Sequence, residues 1–178
     1  EQILKRGHKA RVLDDFSTGK RENLDGLDAE LIEGSITDFE LCQKAVDGVD
    51  FVLHQAALAS VPKSLKFPRE TTEGNVGGTV NMLTAARDAK VKRFVFAASS
   101  SAYGNTESLP KVESMRPSPL SPYAIQKVAG EQFCRVYWEQ FGLTTVALRY
   151  FNISGPRQEP NSVYSAVIPK FVAACLAG

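Results

Sequence analysis

Five short apolar runs recur along the chain: HKARVLDD from residue 8, AELIEG from 29, DFVLHQAA from 50, KRFVFAAS from 92 and LTTVALRYFN from 143. Stretches of helical periodicity at 38–46, 69–89 and 121–141 stand between the later ones. Strand, helix and strand in alternation imply βαβ units, because parallel neighbours need a crossover long enough for a helix. KRFVFAAS is apolar through its middle, as a strand buried on both faces should be. The expected fold is α/β, a doubly wound parallel sheet with helices on both faces. Residues 1–6 read as the last turns of a helix closed by Gly7, and the first strand should end at Leu13. Residues 55–64, QAALASVPKS, read as a loop of small residues. Residues 104–120 and the irregular GPRQEPNS also read as loop, and SAVIPKFVAACLAG as the start of another helix.

The segment 121–141, SPYAIQKVAGEQFCRVYWEQF, reads as one long helix. Ser121 suits the N-cap and Pro122 the first helical position, and Gly142 can stop the helix in a left-handed cap. Tyr123, Lys127, Gly130, Cys134, Tyr137 and Phe141 then share a face. Tyr123 and Lys127 at i and i+4 stand one above the other, so the ammonium is expected to favour the phenolate and make the tyrosine a usable acid or base. Such pairs also arise by chance on helices. On the 69–89 helix, Val76, Val80, Leu83 and Ala86 mark an apolar stripe, and Gly77 with Gly78 allows close approach of a backbone or ligand.

With 21 Lys+Arg against 20 Asp+Glu, nothing suggests a polyanion-binding surface. Cys42, Cys134 and Cys175 are odd in number and free of any CxxC pair, which argues against a disulfide framework or a zinc site and fits a reducing cytosol. His8 and His54 lie too far apart in sequence to suggest a histidine-based metal site. No signal-peptide architecture or long apolar span is present. The chain lacks an initiator Met and opens inside a helix, so it is expected to be a fragment.

Ligands of an open parallel sheet sit beyond the carboxyl ends of its strands. The residues there are Asp14 and Asp15, then Ser35 and Ile36, then Gln55, Ala56 and Ala57, then Ser99, Ser100 and Ser101, then Tyr150, Phe151 and Asn152. A carboxylate at the end of the second strand of such a fold suits a ribose diol and repels a 2′-phosphate, which favours NAD. A turn aspartate would look the same, and Lys20 and Arg21 keep NADP open. Ala56, Ala57 and Ala59 fit a backbone running against a flat cofactor. A hydroxyl at Ser99, in the same cleft as a phenol, can share a substrate proton with it.

Taken in order, VLDDFSTG, LHQAA, GNVGGT, AASSSAYG, SPYAIQK and LRYFN resemble the extended short-chain dehydrogenase/reductase family, and within it the nucleotide-sugar 4-epimerases. HQAALASVP and ASSSAYGN are most similar to the branch acting on UDP-N-acetylhexosamines or their uronic acids. The resemblance implies a Rossmann-like domain that binds NAD and a UDP-sugar, isomerised at C4 through a transient 4-keto sugar. It makes Tyr123 the general base, with Lys127, Ser99 and Ser100 as its catalytic companions. It assigns Asp14, Asp15, Thr18, Gly19, Ser35, Ile36, Gln55, Ala56, Ala57, Asn75, Tyr123, Lys127 and Tyr150 to the cofactor. Asn75 is expected to support the lysine or a neighbouring water. Ser60, Ser99, Tyr123, Asn152, Ala166 and Val167 fall to the substrate.

Two departures accompany the resemblance. The family's first strand and Gly-rich turn, which holds the pyrophosphate, is missing here, as is most of the C-terminal domain. Residues 1–160 are therefore expected to be a partial NAD-binding domain and 161–178 the start of a substrate-binding region. Ser35 stands where the family usually has an aspartate at the adenine. Relatives commonly form homodimers through the Tyr/Lys helix and the one before it. One rival is a 4,6-dehydratase of the same family, which needs an acid and a base where this chain has Ser100 and Ser101. The other is a non-catalytic dinucleotide-binding relative.

Overall fold

The computed structural model describes residues 1–158 and 167–177. All five expected strands form, and every ladder is parallel. β1 (Ala10–Asp14) pairs with β2 (Ala29–Glu33), Ala10 opposite Ala29. β3 (Phe51–His54), β4 (Arg93–Ser99) and β5 (Thr145–Tyr150) form a second sheet in that order, with Val52 opposite Phe94 and Phe94 opposite Thr145. Among the described residues no ladder joins β1 to β3. In the strand order 3-2-1-4-5 of doubly wound folds, that break falls where the first strand stands.

The helices pack against one another and against both sheets. The short α1 (Gln2–Lys5) is followed by Gly7 at φ +80°, a left-handed conformation that glycine adopts without a Cβ penalty. α2 (Phe39–Val46) starts at Asp38, whose carboxylate accepts the Leu41 N–H at 3.2 Å. Then come α3 (Val61–Lys66), α4 (Pro68–Thr72), a π turn (Glu73–Gly77) and α5 (Gly78–Asp88). α6 (Pro122–Phe141) and α7 (Val167–Ala177) complete the order. α2 packs on α5, α5 on α6, and α6 on β4 and β5. Between them and the sheet sits the core, with Phe94 and Phe96 fully buried among Cys42, Val46, Leu83, Ala86, Cys134 and Tyr137. Each such phenylalanine contributes roughly 1.5–3 kcal/mol by leaving water. Gly130 is what lets α6 approach, since a Cβ there would lie 2.4 Å from Phe96 Cζ. Glu131 of α6 and Arg149 of β5 close the seam with two hydrogen bonds of 2.8 Å. The other face of this sheet exposes Phe51 (60 %) and Leu53 (51 %), as well as Val146 and Leu148.

Four local expectations change. Residues 55–64 are not all loop: Ser60 caps α3, its Oγ accepting the Lys63 N–H at 2.9 Å. The 69–89 helix is interrupted by the π turn, which resets its phase. Gly78, Thr79, Met82, Leu83, Ala85 and Ala86 are buried, whereas Val76 and Val80 are only partly so. Gly78 takes the close approach, a Cβ there lying 2.4 Å from Ile36 Cδ1, while Gly77 faces open space. β1 runs one residue further, through Asp14. Phe141, placed on the apolar face of α6, is half exposed and packs its ring on Tyr137 with Arg87 stacked above it.

Candidate active site

The reactive end of α6 is held by two serines. Ser121 Oγ accepts the Ala124 N–H at 3.2 Å, the expected N-cap, and Gly142 at φ +70° ends the helix by donating to Trp138 O at 3.1 Å. Ser64, fully buried on α3, takes the Tyr123 N–H at 3.1 Å and gives its own proton to Val61 O at 2.7 Å. One of the orphan donors of the first helical turn is thereby satisfied from another element.

One turn along, Lys127 is 4 % exposed and donates from Nζ to Ala97 O of β4 at 2.8 Å. Its ammonium lies 5.0 Å from the Phe96 ring centroid and 5.9 Å from that of Tyr123. Burial pushes its pKa down to about 8. The expected pull of Lys127 on the phenol needs correction: burial raises the Tyr123 pKa, and the opposing effect is a hydrogen bond with Ser99. Ser99 ends β4, opposite Tyr150 of β5. Its Oγ accepts both the Ser101 N–H at 3.2 Å and the Ser101 hydroxyl at 2.9 Å. With both lone pairs used, Ser99 has its proton left to give. Ser100 opens the 3₁₀ turn that follows.

Asp14 Oδ1 accepts the Phe16 N–H at 2.8 Å, and Gly19 lies close by, a Cβ there falling in ordinary contact at 3.5 Å from that oxygen. Asp15 accepts from Ser17 N, and hydrogen bonds from Ser17 hold its carboxyl below the usual range; Thr18 beside it is exposed. Arg21 pairs with Glu33 and stacks 4.7 Å over the Phe16 ring. Ser35 pairs with Thr37 at 2.9 Å, and Ile36 presents its carbonyl to Asn81 and Cys42. After β3, Gln55 is exposed and Ala56 and Ala57 are half-buried. Ser60 is buried as the α3 cap, and Asn152 is exposed two residues beyond β5. Ala166 lies outside the described residues, and Val167 opens α7.

Asn75 does not hold Lys127. Its Nδ2 donates to Leu58 O at 3.3 Å and Gln126 Oε1 at 2.8 Å, and its Oδ1 accepts the Leu58 N–H at 2.7 Å. Both amide protons are spent. Sequence reading also passed over His54, which is buried and neutral, its pKa pushed down to about 3 by burial and by the Lys127 charge. Thr79 gives its proton to Asn75 O at 2.6 Å, so His54 Nε2–H donates to Thr79 Oγ1 at 3.0 Å. The only sequence signal for this was a histidine on an inward-facing strand position.

The family model for the NAD dependent epimerase/dehydratase family matches residues 1–178. Among solved structures, the UDP-N-acetylglucosamine 4-epimerase of Methanobrevibacter ruminantium M1, in complex with UDP-N-acetylmuramic acid, is 39 % identical with a TM-score of 0.90, covering 96 % of this chain and 56 % of that one. The UDP-glucose 4-epimerase of Thermotoga maritima, with UDP-glucose, is 33 % identical with a TM-score of 0.92, covering 99 % and 58 %. The UDP-N-acetyl-alpha-D-glucosaminuronate decarboxylase of Bacillus cytotoxicus is 36 % identical over all of this chain and 57 % of its own length. The chain spans about half the length of the curated relatives it matches. The parallel sheets, the strand-end site and the match along the whole chain agree: the chain belongs to the NAD-dependent epimerase/dehydratase family.

Proposed function

We propose that the protein is an isomerase that inverts C4 of a UDP-sugar, of the UDP-glucose/UDP-galactose or UDP-N-acetylglucosamine/UDP-N-acetylgalactosamine type. The observation that carries the reading is the convergence of Ser99, Tyr123 and Lys127 at one strand end, with Ser100 and Ser101 directly behind Ser99. Tyr123 takes the proton of the sugar 4-hydroxyl. It does so as the phenolate and becomes a phenol; Ser99, kept a donor by Ser101, hydrogen-bonds to the phenolate oxygen and keeps its proton, while Lys127, held on Ala97 O, stands with its ammonium 5.9 Å from the Tyr123 ring centroid. NAD, when bound, supplies the hydride acceptor and donor and a further positive charge. Ser100 and Ser101 are hydroxyls and neither acid nor base near neutral pH, so the 4-keto sugar finds no group to take it on to loss of water. Its exit is reduction at C4, from either face once the sugar has turned over.

In the same reading Asp14 and Asp15 accept the adenosine ribose diol, with Thr18, Gly19, Ser35, Ile36, Gln55, Ala56, Ala57 and Tyr150 along the nucleotide. Ser60, Asn152, Ala166 and Val167 are assigned to the sugar nucleotide. Residues 1–160 serve the cofactor and 161–178 begin the substrate region. A homodimer is part of the proposal, supported by Ile125, Val136 and Trp138 exposed along α6. Among the described residues no helix is long and apolar enough to cross a membrane, and three unpaired cysteines support a cytoplasmic setting. The experiment is Tyr123→Phe in the intact protein. Turnover of the UDP-sugar should fall by about 10² or more with little change in KM, the scale of losing a general base. Near-normal turnover would place the base elsewhere.

A further inference from the structure

Two buried amides link the catalytic helix to the segment after β3. Asn75 in the π turn and Gln126 in α6, next to Lys127, are each 3 % exposed, and Asn75 Nδ2 donates to Gln126 Oε1 at 2.8 Å. Gln126 Nε2 in turn donates to Thr71 Oγ1 and Thr72 Oγ1, both at 3.0 Å. Those hydroxyls give their own protons to Phe67 O and Pro68 O, so toward Gln126 they can only accept. The Gln126 amide therefore has one workable orientation, and that orientation leaves an oxygen for Asn75 and no other group. At the far end, the Asn75 amide clasps both the N–H and the C=O of Leu58. Leu58 lies outside any strand or helix, so no ladder holds its backbone.

We infer that Gln126 is a positioning residue. It transmits the placement of α6 through Asn75 to the backbone of residues 55–58, so that the helix presenting Tyr123 and Lys127 also fixes the segment that lies against NAD. The inference rests on the proposed reading in one respect, that residues 55–58 meet the cofactor. A Gln126 that merely stabilised the fold would lower thermal stability without a selective effect on NAD. A positioning Gln126 separates NAD affinity from turnover.

The test uses the intact protein, with the NAD dissociation constant by calorimetry alongside kcat and KM for NAD. Gln126→Glu keeps the shape, loses both donors and turns a carboxylate toward two hydroxyl oxygens. Asn75→Asp loses the donors to Gln126 and Leu58. Each is expected to weaken NAD binding about tenfold, and in Gln126→Glu kcat at saturating NAD stays within about threefold. The double variant should be no weaker than the weaker single, because the two act in series. Thr72→Val, which removes one exposed acceptor and leaves the core intact, should weaken NAD about two- to threefold and serves if a core variant does not fold. Loss of kcat with unchanged NAD affinity, additive effects, or unaltered binding in Thr72→Val together with Gln126→Glu would overturn the inference. Wild-type protein that binds NAD but does not epimerise would sink the proposed function and leave this inference standing on its binding data. Wild-type protein with no NAD affinity would overturn both.

Discussion

Ser64 Oγ accepts the backbone N–H of Tyr123 at 3.1 Å, across 59 residues of sequence. A serine on α3, fully buried, thus finishes the first turn of the helix that carries the proposed base. Ser64→Ala leaves that N–H without a partner, at a cost of about 1–2 kcal/mol. Urea unfolding should show that loss, and the Tyr123-dependent rate should drop with it. Unchanged stability would mean that water replaces the hydroxyl.

Lys127 makes stability depend on pH in a stated direction. Its folded pKa, about 8, lies below the ordinary 10.5 because burial disfavours the charge. Between those values the unfolded chain binds more protons than the folded one, so stability rises as pH rises from about 8 to 10.5. The gain is on the order of 1–3 kcal/mol. In Lys127→Met this rise should vanish, and the variant should gain on wild type at neutral pH while losing turnover. Parallel pH–stability curves for the two proteins would contradict the assignment.

The same substitution at two glycines should have opposite signs. Gly130→Ala drives a Cβ to 2.4 Å from Phe96 Cζ, where the fully buried ring cannot yield. Overpacking of that kind costs about 1–3 kcal/mol, more than the roughly 1 kcal/mol that alanine gains in a helix. Gly77→Ala meets open space at helical φ and should stabilise by about 0.5–1 kcal/mol. Thermal melts of the two variants decide it, and a stable Gly130→Ala would show that Phe96 can move.

Where local chemistry decides, the sequence was informative. Ser121, Pro122 and Gly142 set both ends of α6, and five apolar runs became five parallel strands, three of which end at Asp14, Ser99 and Tyr150. What escaped depends on partners far along the chain. α3 hid behind Pro62, although Ser60 and a proline in the first turn are start signals. The roles of Ser64, Gln126 and Asn75 come from hydrogen bonds spanning 59, 51 and 17 residues, which no periodicity encodes. The Tyr123–Lys127 spacing was right, yet the dominant influence on the phenol is burial, with Ser99 opposing it; burial is a tertiary quantity.

The most direct test of the account is the product itself. Intact protein is incubated with NAD and UDP-N-acetylglucosamine or UDP-glucose and followed by NMR, with absorbance read at the NADH band. With only hydroxyls at Ser100 and Ser101, the account predicts the C4 epimer approaching equilibrium, no net NADH and no deoxy sugar. A 6-deoxy methyl signal, or NADH accumulating in step with sugar oxidation, would contradict it.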